Sequence, residues 1–305
     1  MAILANPYQL EKGLKTLFIE ALMRAPDNYI QRIATYAKSD SDQEDYSWIG
    51  EPGSIDEFID EVEFKGLSEA KYNLKNKKYT GGIEVKRDDL ADEKTGGIAQ
   101  RINELAVRAA NYSNKLLIDA LVAGTTDTDV FDEALFTSSH AARGEQTAVQ
   151  DNLLAGTGTT TALVAADINS AITSLITFLD EAAEPLNENA AKFFIIYPSG
   201  LHQPIHEAVR ASVISATSNV AWDPGQFDLI NCPRLVSSDA NDWYMGIADP
   251  GMVRGLVFQD REPVTFEALE SGDTAFTREV YRYKVRMRCR AGYGKWARIV
   301  KIVNT

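Results

Sequence analysis

The stretch TGGIAQRINELAVRAANYSNKLLIDALVAG, residues 95–124, decides the fold. Its apolar positions fall at Ile98, Ile102, Leu105, Ala109, Tyr112, Leu116 and Ala120. Alternating steps of four and three lay one stripe along a helix. Gln100, Arg101, Glu104, Arg108 and Asn111 take the other faces. Thr95-Gly96-Gly97 breaks the chain before it, and Gly124 stands where a helix-terminating glycine would. The spacing predicts a helix over residues 97–123, roughly 40 Å long at about 1.5 Å per residue. An element of that length suits a subunit built to reach its neighbours.

Upstream, charge separates. Residues 40–63 hold ten acids, among them Asp56, Glu57, Asp60 and Glu61, and no Lys or Arg. Residues 65–87 hold seven bases, including Lys71, Lys75, Lys77 and Lys78, against Glu69 and Glu84. Val62 and Phe64, Tyr72 and Leu74, and Ile83 and Val85 sit two apart, which is strand spacing. Gly81-Gly82 and residues 73–78 read as turn or bulge chemistry. The segment is expected to form a long charged hairpin that lies on a partner surface, because a lone hairpin is not stable in water. A solvated charge run is the plainer alternative. Further upstream, Leu10, Leu14, Leu17, Phe18, Ala21 and Leu22 predict a short amphipathic helix ending near Ala25-Pro26. It is either an arm packing on something else or a first core helix.

Downstream, residues 125–161 read as irregular loop. A helix capped by Asp167 is expected next, with Ile168, Ile172, Leu175, Ile176 and Leu179 on its buried side. The run KFFIIYP, residues 192–198, reads as a buried central strand, with Ser199 capping a helix after it. Short strands are expected at residues 227–230, 235–236, 243–247 and 253–258, completing a compact α/β unit. From Tyr281 the odd positions Tyr281, Tyr283, Val285, Met287, Cys289 and Ala291 alternate with Arg282, Lys284, Arg286, Arg288 and Arg290. One strand face is apolar and the other cationic. Residues 292–294 should turn the chain and 296–303 return as a second strand.

The composition excludes several functions. With 45% hydrophobic and 25% charged residues the chain is an ordinary globular one. A net charge of −13 argues against gripping phosphates as the main task. Cys232 and Cys289 give no disulfide framework and suit a reducing compartment. No signal peptide or membrane-spanning run is evident, so a soluble intracellular protein is expected. His202 and His206 sit four apart like helical zinc ligands, but Pro204 lies between them and no HExxH is formed. Ser138, Ser139, His140 and Asp132 contain triad residue types without a GxSxG elbow. Gly156-Thr157-Gly158 lacks the Lys of a phosphate loop. No catalytic residue, cofactor site or metal site is assigned. The Arg/Lys ladder has three readings: DNA binding, an intrachain charged face, or an interface with the acidic segment of a neighbouring copy. No aromatic interleaves on that face to support the first.

Local strings carry a resemblance. The run Tyr72-Asn73-Leu74-Lys75-Asn76-Lys77-Lys78-Tyr79, followed by Ile83-Glu84-Val85-Lys86-Arg87-Asp88-Asp89-Leu90, resembles the hairpin strand and turn of Mu-like prophage major head subunits. Gln31-Arg32-Ile33-Ala34 and Tyr46-Ser47-Trp48-Ile49-Gly50 resemble the same family, as does Leu135-Phe136-Thr137-Ser138-Ser139-His140. In that last string Ser139 and Ala141 stand where the family tends to have Asp and Pro.

The resemblance implies an α+β chain of the Hong Kong 97 capsid type. Residues 1–40 would form an N-terminal arm and 41–96 an extended loop. Residues 97–184 and 256–305 would form a peripheral domain with spine helix 97–123, and 185–255 an axial domain. It implies a structural major capsid protein, not an enzyme, whose copies form hexamers and pentamers of an icosahedral shell around double-stranded DNA. Scaffold, portal and decoration proteins would be further partners, with no membrane and no sequence-specific DNA contact. The place would be the virion capsid, assembled in the bacterial host cytoplasm. Inter-subunit contacts are expected at Asp56, Glu57, Asp60, Glu61, Lys71, Lys75, Lys77, Lys78, Arg282, Lys284, Arg286, Arg288 and Arg290. An encapsulin-like cargo shell and a small α/β enzyme or binding module are the alternatives. Two outcomes are expected of variants. Reversing Arg286 and Arg288 should impair assembly more than folding, and deleting residues 65–82 should leave a folded subunit.

Overall fold

The computed structural model describes residues 7–25, 29–49, 69–91, 97–128, 131–214, 217–218, 225–249, 251–269 and 277–304. The described chain begins with α1 (Pro7–Arg24), the single turn α2 (Ile30–Ile33) and β1 (Ala34–Lys38). β2 (Gln43–Ile49), β3 (Glu69–Lys75) and β4 (Lys77–Lys86) lead through α3 (Arg87–Ala91) into α4 (Gly97–Ala123). Then come β5 (Leu153–Ala155), α5 (Thr161–Thr177), β6 (Phe193–Tyr197) and α6 (His202–Arg210). After the small ladder of β7 (Val213–Ile214) and β8 (Thr217–Ser218) follow β9 (Phe227–Asn231) and β10 (Trp243–Ile247). The long strands β11 (Leu256–Leu269) and β12 (Val280–Tyr293) precede the last strand, β13 (Ile299–Val303).

Helix α4 has the bounds its periodicity predicts. Its buried side changes along its length, because it serves two cores. Ile98, Ile102, Ala106 and Ala109 pack with Leu14 and Phe18 of α1, Val85 of β4, Phe266 of β11 and Tyr283 and Val285 of β12. Leu117, Ile118 and Leu121 instead join the larger core around β6 and β10. Leu105, Tyr112, Leu116 and Ala120, in the sequence-derived stripe, are therefore only half-buried. Gly124 does not take the left-handed conformation of a helix-terminating glycine. A Cβ there would lie 2.9 Å from the Phe136 ring, so close packing explains the residue. α1 is a core helix of its own chain: Phe18 is 1% exposed and stacks on Phe266 with centroids 4.8 Å apart.

Two sheets carry the rest. One has the order β1-β11-β12-β4, the other β5-β13-β10-β6-β9. β4 is the edge strand of the first, antiparallel to β12 over Lys77–Lys86, while β2 and β3 form a separate hairpin. The expected turn or bulge at Gly81-Gly82 is thus replaced by continuous strand, opposite Val285 and Lys284. A Cβ on Gly82 would sit 2.9 Å from the Tyr283 carbonyl oxygen, a close approach only glycine permits. The break in the segment comes at Asn76, between β3 and β4.

In the second sheet all five residues of β6 are buried between β10 and β9, as a continuous apolar run requires. β13 does not return along β12. It crosses into this sheet between β10 and β5, where Ile299, Val300 and Ile302 are buried. The unit around residues 185–255 therefore takes strands from both flanks, at residues 153–155 and 299–303. Three local expectations change. Asp167 lies within α5 and accepts hydrogen bonds from the Thr157 amide (3.0 Å) and hydroxyl (2.8 Å), fixing the preceding loop rather than capping the helix. The Ser199 hydroxyl donates to Asn231 Oδ1 at 2.9 Å instead of capping. Leu235 and Val236 lie in a 3₁₀ turn, Pro233–Ser237, whose leading proline lacks the N–H a strand needs.

Candidate assembly surface

Strand β12 is the frame. Its alternation turns Tyr283, Val285, Met287 and Cys289 into the core, each under a tenth exposed. Burial pushes the Cys289 thiol up to about 12, so it packs and does not react. The opposite face carries the cations, and Arg282, Lys284, Arg286 and Arg288 each meet a carboxylate of the same chain. Arg282 Nε lies 2.8 Å from Glu84 on β4, and Lys284 Nζ 2.6 Å from Glu267 on β11. Arg286 and Arg288 share Glu262, at 2.9 and 3.1 Å, and Arg288 also reaches Asp42 at 2.8 Å.

The sharing has a local cause. Between Asp260 and Thr265, β11 holds more residues than β12 opposite, with shifts on both sides of Glu262. The resulting bulges, beside Pro263, set Glu262 against both arginines. The hydrogen bond from Lys284, then the charges of Lys284, Arg286 and Lys78, hold the Glu267 carboxyl below its usual range. Arg290 faces Gln259 across the ladder and lies against the Tyr79 hydroxyl. Arg282 and Lys284 remain 42% and 48% exposed, so their pairs contribute at most about 1 kcal/mol each.

Lys75, Lys77 and Lys78 are exposed on β3 and β4, with Lys75 3.9 Å from Asp42. Lys71 sits opposite Ser47 in the β2–β3 register. Asp56, Glu57, Asp60 and Glu61 lie outside the described residues. Geometry thus brings the five ladder cations and Lys78 onto one sheet, with Arg282, Lys284, Arg286 and Arg288 beside acids of the same chain.

Sequence reasoning missed the knot at the base of the hairpin. Glu44 Oε1 accepts from the amides of Asp40 (2.9 Å) and Ser41 (3.0 Å) and from the hydroxyls of Ser39 and Ser41. The two amides, then the hydroxyls, lower its pKa. Buried Asn76 donates to Ser39 Oγ (2.9 Å) and the Ser41 carbonyl (3.0 Å), and Gln259 donates to the Leu74 carbonyl. The Ser-Asp-Ser run before β2 is the one sequence signal for such a turn.

The family model described as Mu-like prophage major head subunit gpT matches residues 8–192 and 225–304. The chain belongs to the Mu-like gpT major head subunit family.

Among curated relatives, the Mu-like prophage FluMu major head subunit of Haemophilus influenzae is 31% identical over 112 residues, 37% of this chain and 36% of that protein. The major capsid protein of Escherichia phage Mu is 25% identical over 123 residues, 40% of each. The matches thus span well under half the length of these relatives. Solved structures share the architecture. The procapsid of bacteriophage JBD30 gives a TM-score of 0.54 at 19% identity, covering 96% of this chain and 73% of that one. The mature capsid of bacteriophage PhiM1 gives 0.61 at 10% identity, covering 92% and 88%. A virus-like particle from Pyrococcus furiosus gives 0.57 at 11% identity, covering 96% and 99%. The fold is that of Hong Kong 97-type phage capsid proteins.

In this gpT-family chain His140, one of the residues that suggested chemistry, does structural work. His140 is 1% exposed, with Nδ1 3.2 Å from Glu133 Oε2 and Nε2 3.0 Å from Asn152 Oδ1. Its ring stacks on Trp296 at 3.8 Å, and burial lowers its pKa. The acid beside it is Glu133, not Asp132, and Glu133 is also held by Arg143 at 3.2 Å. Buried Lys301 lies between Asp239 (3.1 Å) and Asp242 (3.2 Å) in the second sheet. Among the described residues no group of three or more His, Cys, Asp or Glu could hold a metal, and no helix is long and apolar enough to cross a membrane.

Proposed function

We propose that this chain is the major capsid protein of a Mu-like phage or prophage head. The single observation carrying the reading is the family match over residues 8–192 and 225–304, on a fold shared with phage capsid proteins. Copies join as hexamers and pentamers of an icosahedral shell that encloses double-stranded DNA without reading its sequence. In this reading the chain performs no catalysis. It assembles in the bacterial host cytoplasm with scaffold, portal and decoration proteins, and resides in the virion capsid. The net charge of −13 agrees with a container that does not grip its contents.

Contacts between copies form where charge is left available. These are exposed Lys75, Lys77 and Lys78, the exposed portions of Arg282 and Lys284, and the acids of residues 50–68. Lys71, Arg286, Arg288 and Arg290 border that surface. Residues 41–96 act as the extended loop, 97–184 and 256–305 as the peripheral domain, and 185–255 as the axial domain. Electron microscopy and sedimentation of the purified chain, alone and co-expressed with its neighbouring head genes, test this. Closed shells, tubes or capsomer rings are expected. Protein-filled shells free of DNA would mark a cargo shell instead. A uniform monomer under every condition would overturn the reading.

A further inference from the structure

We propose that His202 and His206 form a two-imidazole chelate for a divalent transition-metal ion, with Cu(II) bound most tightly and solvent filling the other positions. The pair lies four residues apart on α6, hence on one face. Pro204 does not break that helix. It is the third residue of α6, in the first turn, where the missing N–H has no intrahelical partner to lose.

The two rings lie close together on that face. Their centroids are 4.3 Å apart with planes at 46°. A metal–nitrogen bond of about 2.0 Å, extended about 1.1 Å to each ring centre, separates two centroids by about 4.4 Å when the bonds meet at a right angle. A tetrahedral angle would need about 5 Å. The observed spacing fits adjacent corners of a tetragonal site, the geometry of Cu(II) and Ni(II), and Cu(II) stands highest in affinity for nitrogen donors.

A second group orients the pair. The Tyr197 hydroxyl lies 3.2 Å from His202 Nδ1, and Tyr197 is 1% exposed at the end of rigid β6. When Nδ1–H donates to the phenol oxygen, the lone pair of Nε2 is left for the metal. The Tyr197 ring also contacts His206, edge-on at 6.3 Å. His202 is exposed and His206 half-buried, so an ion reaches both. Arg210, one turn beyond His206, opposes a cation. Glu207 is engaged by Gln203 (2.8 Å) and Thr161 (2.9 Å). The chain has three histidines, and the third, His140, is buried with both ring nitrogens facing partners.

The test is titration of the full chain with Cu(II), followed by electron paramagnetic resonance. One equivalent bound through two imidazole nitrogens is expected. His202→Gln and His206→Gln should each weaken binding by about tenfold or more, and the double variant should lose the two-imidazole signal. Far-UV circular dichroism should stay unchanged in all three. Tyr197→Phe should weaken binding less, through lost ring orientation. A two-imidazole signal persisting in the double variant, a single-imidazole signal in the parent, or no imidazole-bound copper at one equivalent would each overturn the proposal.

Discussion

Asn152 sits with no exposed surface where the loop after α4 meets the turn before β13. Its Nδ2 donates to the carbonyls of Leu135 (2.8 Å), Trp296 (3.3 Å) and Ile299 (3.2 Å). Its Oδ1 accepts from the Thr137 amide at 3.0 Å and faces His140 Nε2. Alanine at this position leaves several buried polar groups unpaired, each costing about 1–3 kcal/mol. Asn152→Ala should therefore lower stability by about 3 kcal/mol or more, read from urea unfolding with unchanged slope. A loss below about 1 kcal/mol would mean that water or rearrangement replaces these bonds. Gly246 is a second such position, by packing: a Cβ there would fall 2.4 Å from Phe194 Cζ in the adjacent strand. Gly246→Ala should cost about 1–3 kcal/mol in the same assay. Neither role was legible beforehand. An asparagine in a loop rich in Gly, Thr and Ser looks like turn chemistry, and two of its three carbonyl partners, Trp296 and Ile299, lie more than 140 residues away. His140 stands beside triad residue types in sequence without forming a triad, and its partners are Glu133, Asn152 and Trp296.

At the scale of elements, the alternation of β12 was legible because a period of two fixes which residues face the core. Helix α4 was legible for the same kind of reason. The partner of β4 was not, since its pairing with β12 joins segments about 200 residues apart and leaves no local trace. That pairing changes what the ladder variants should do. Arg286 and Arg288, 32% and 23% exposed, share Glu262 within the subunit. Reversing both to Glu would crowd carboxylates around Glu262 and Asp42. The double variant should lower the unfolding midpoint of the isolated subunit markedly, where the sequence leads one to expect assembly to suffer more than folding. Lys77→Glu/Lys78→Glu, on exposed positions, should change stability by no more than about 0.5 kcal/mol. It should still weaken particle formation at low salt, measured by sedimentation. The hairpin base adds a pH signature. The folded-state pKa of Glu44 is lowered, so its contribution is present above the unfolded value of 4.5 and is lost as pH falls through the folded value. Glu44→Gln should be less stable than the parent at pH 7, and the gap should close in acid. A gap independent of pH would show that charge is not what the Ser39–Ser41 turn recognises.

For the whole molecule, part of the charged segment belongs to the subunit's own packing. Tyr79 of β4 packs on Tyr112 of α4 with centroids 4.9 Å apart, and Leu74 of β3 is buried against Gly292. Removing residues 65–82 would strip β3 and more than half of β4 from these contacts and uncover the β4-facing edge of β12 from Lys284 to Cys289. That deletion should unfold the subunit, contrary to the expectation drawn from sequence. A narrower excision separates the two roles. Ile49 and Glu69 already face each other in the β2–β3 register, so an Asn-Gly turn can join them in place of residues 50–68. This variant keeps the Glu44 knot, the Leu74 contact and the whole of β4. Its unfolding free energy should match the parent within about 1 kcal/mol. If residues 50–68, with Asp56, Glu57, Asp60 and Glu61, serve the neighbour, the variant should stay small in sedimentation where the parent forms particles. Particles of normal size and yield would assign those acids to solvent and move the burden of association to the exposed lysines of β3 and β4.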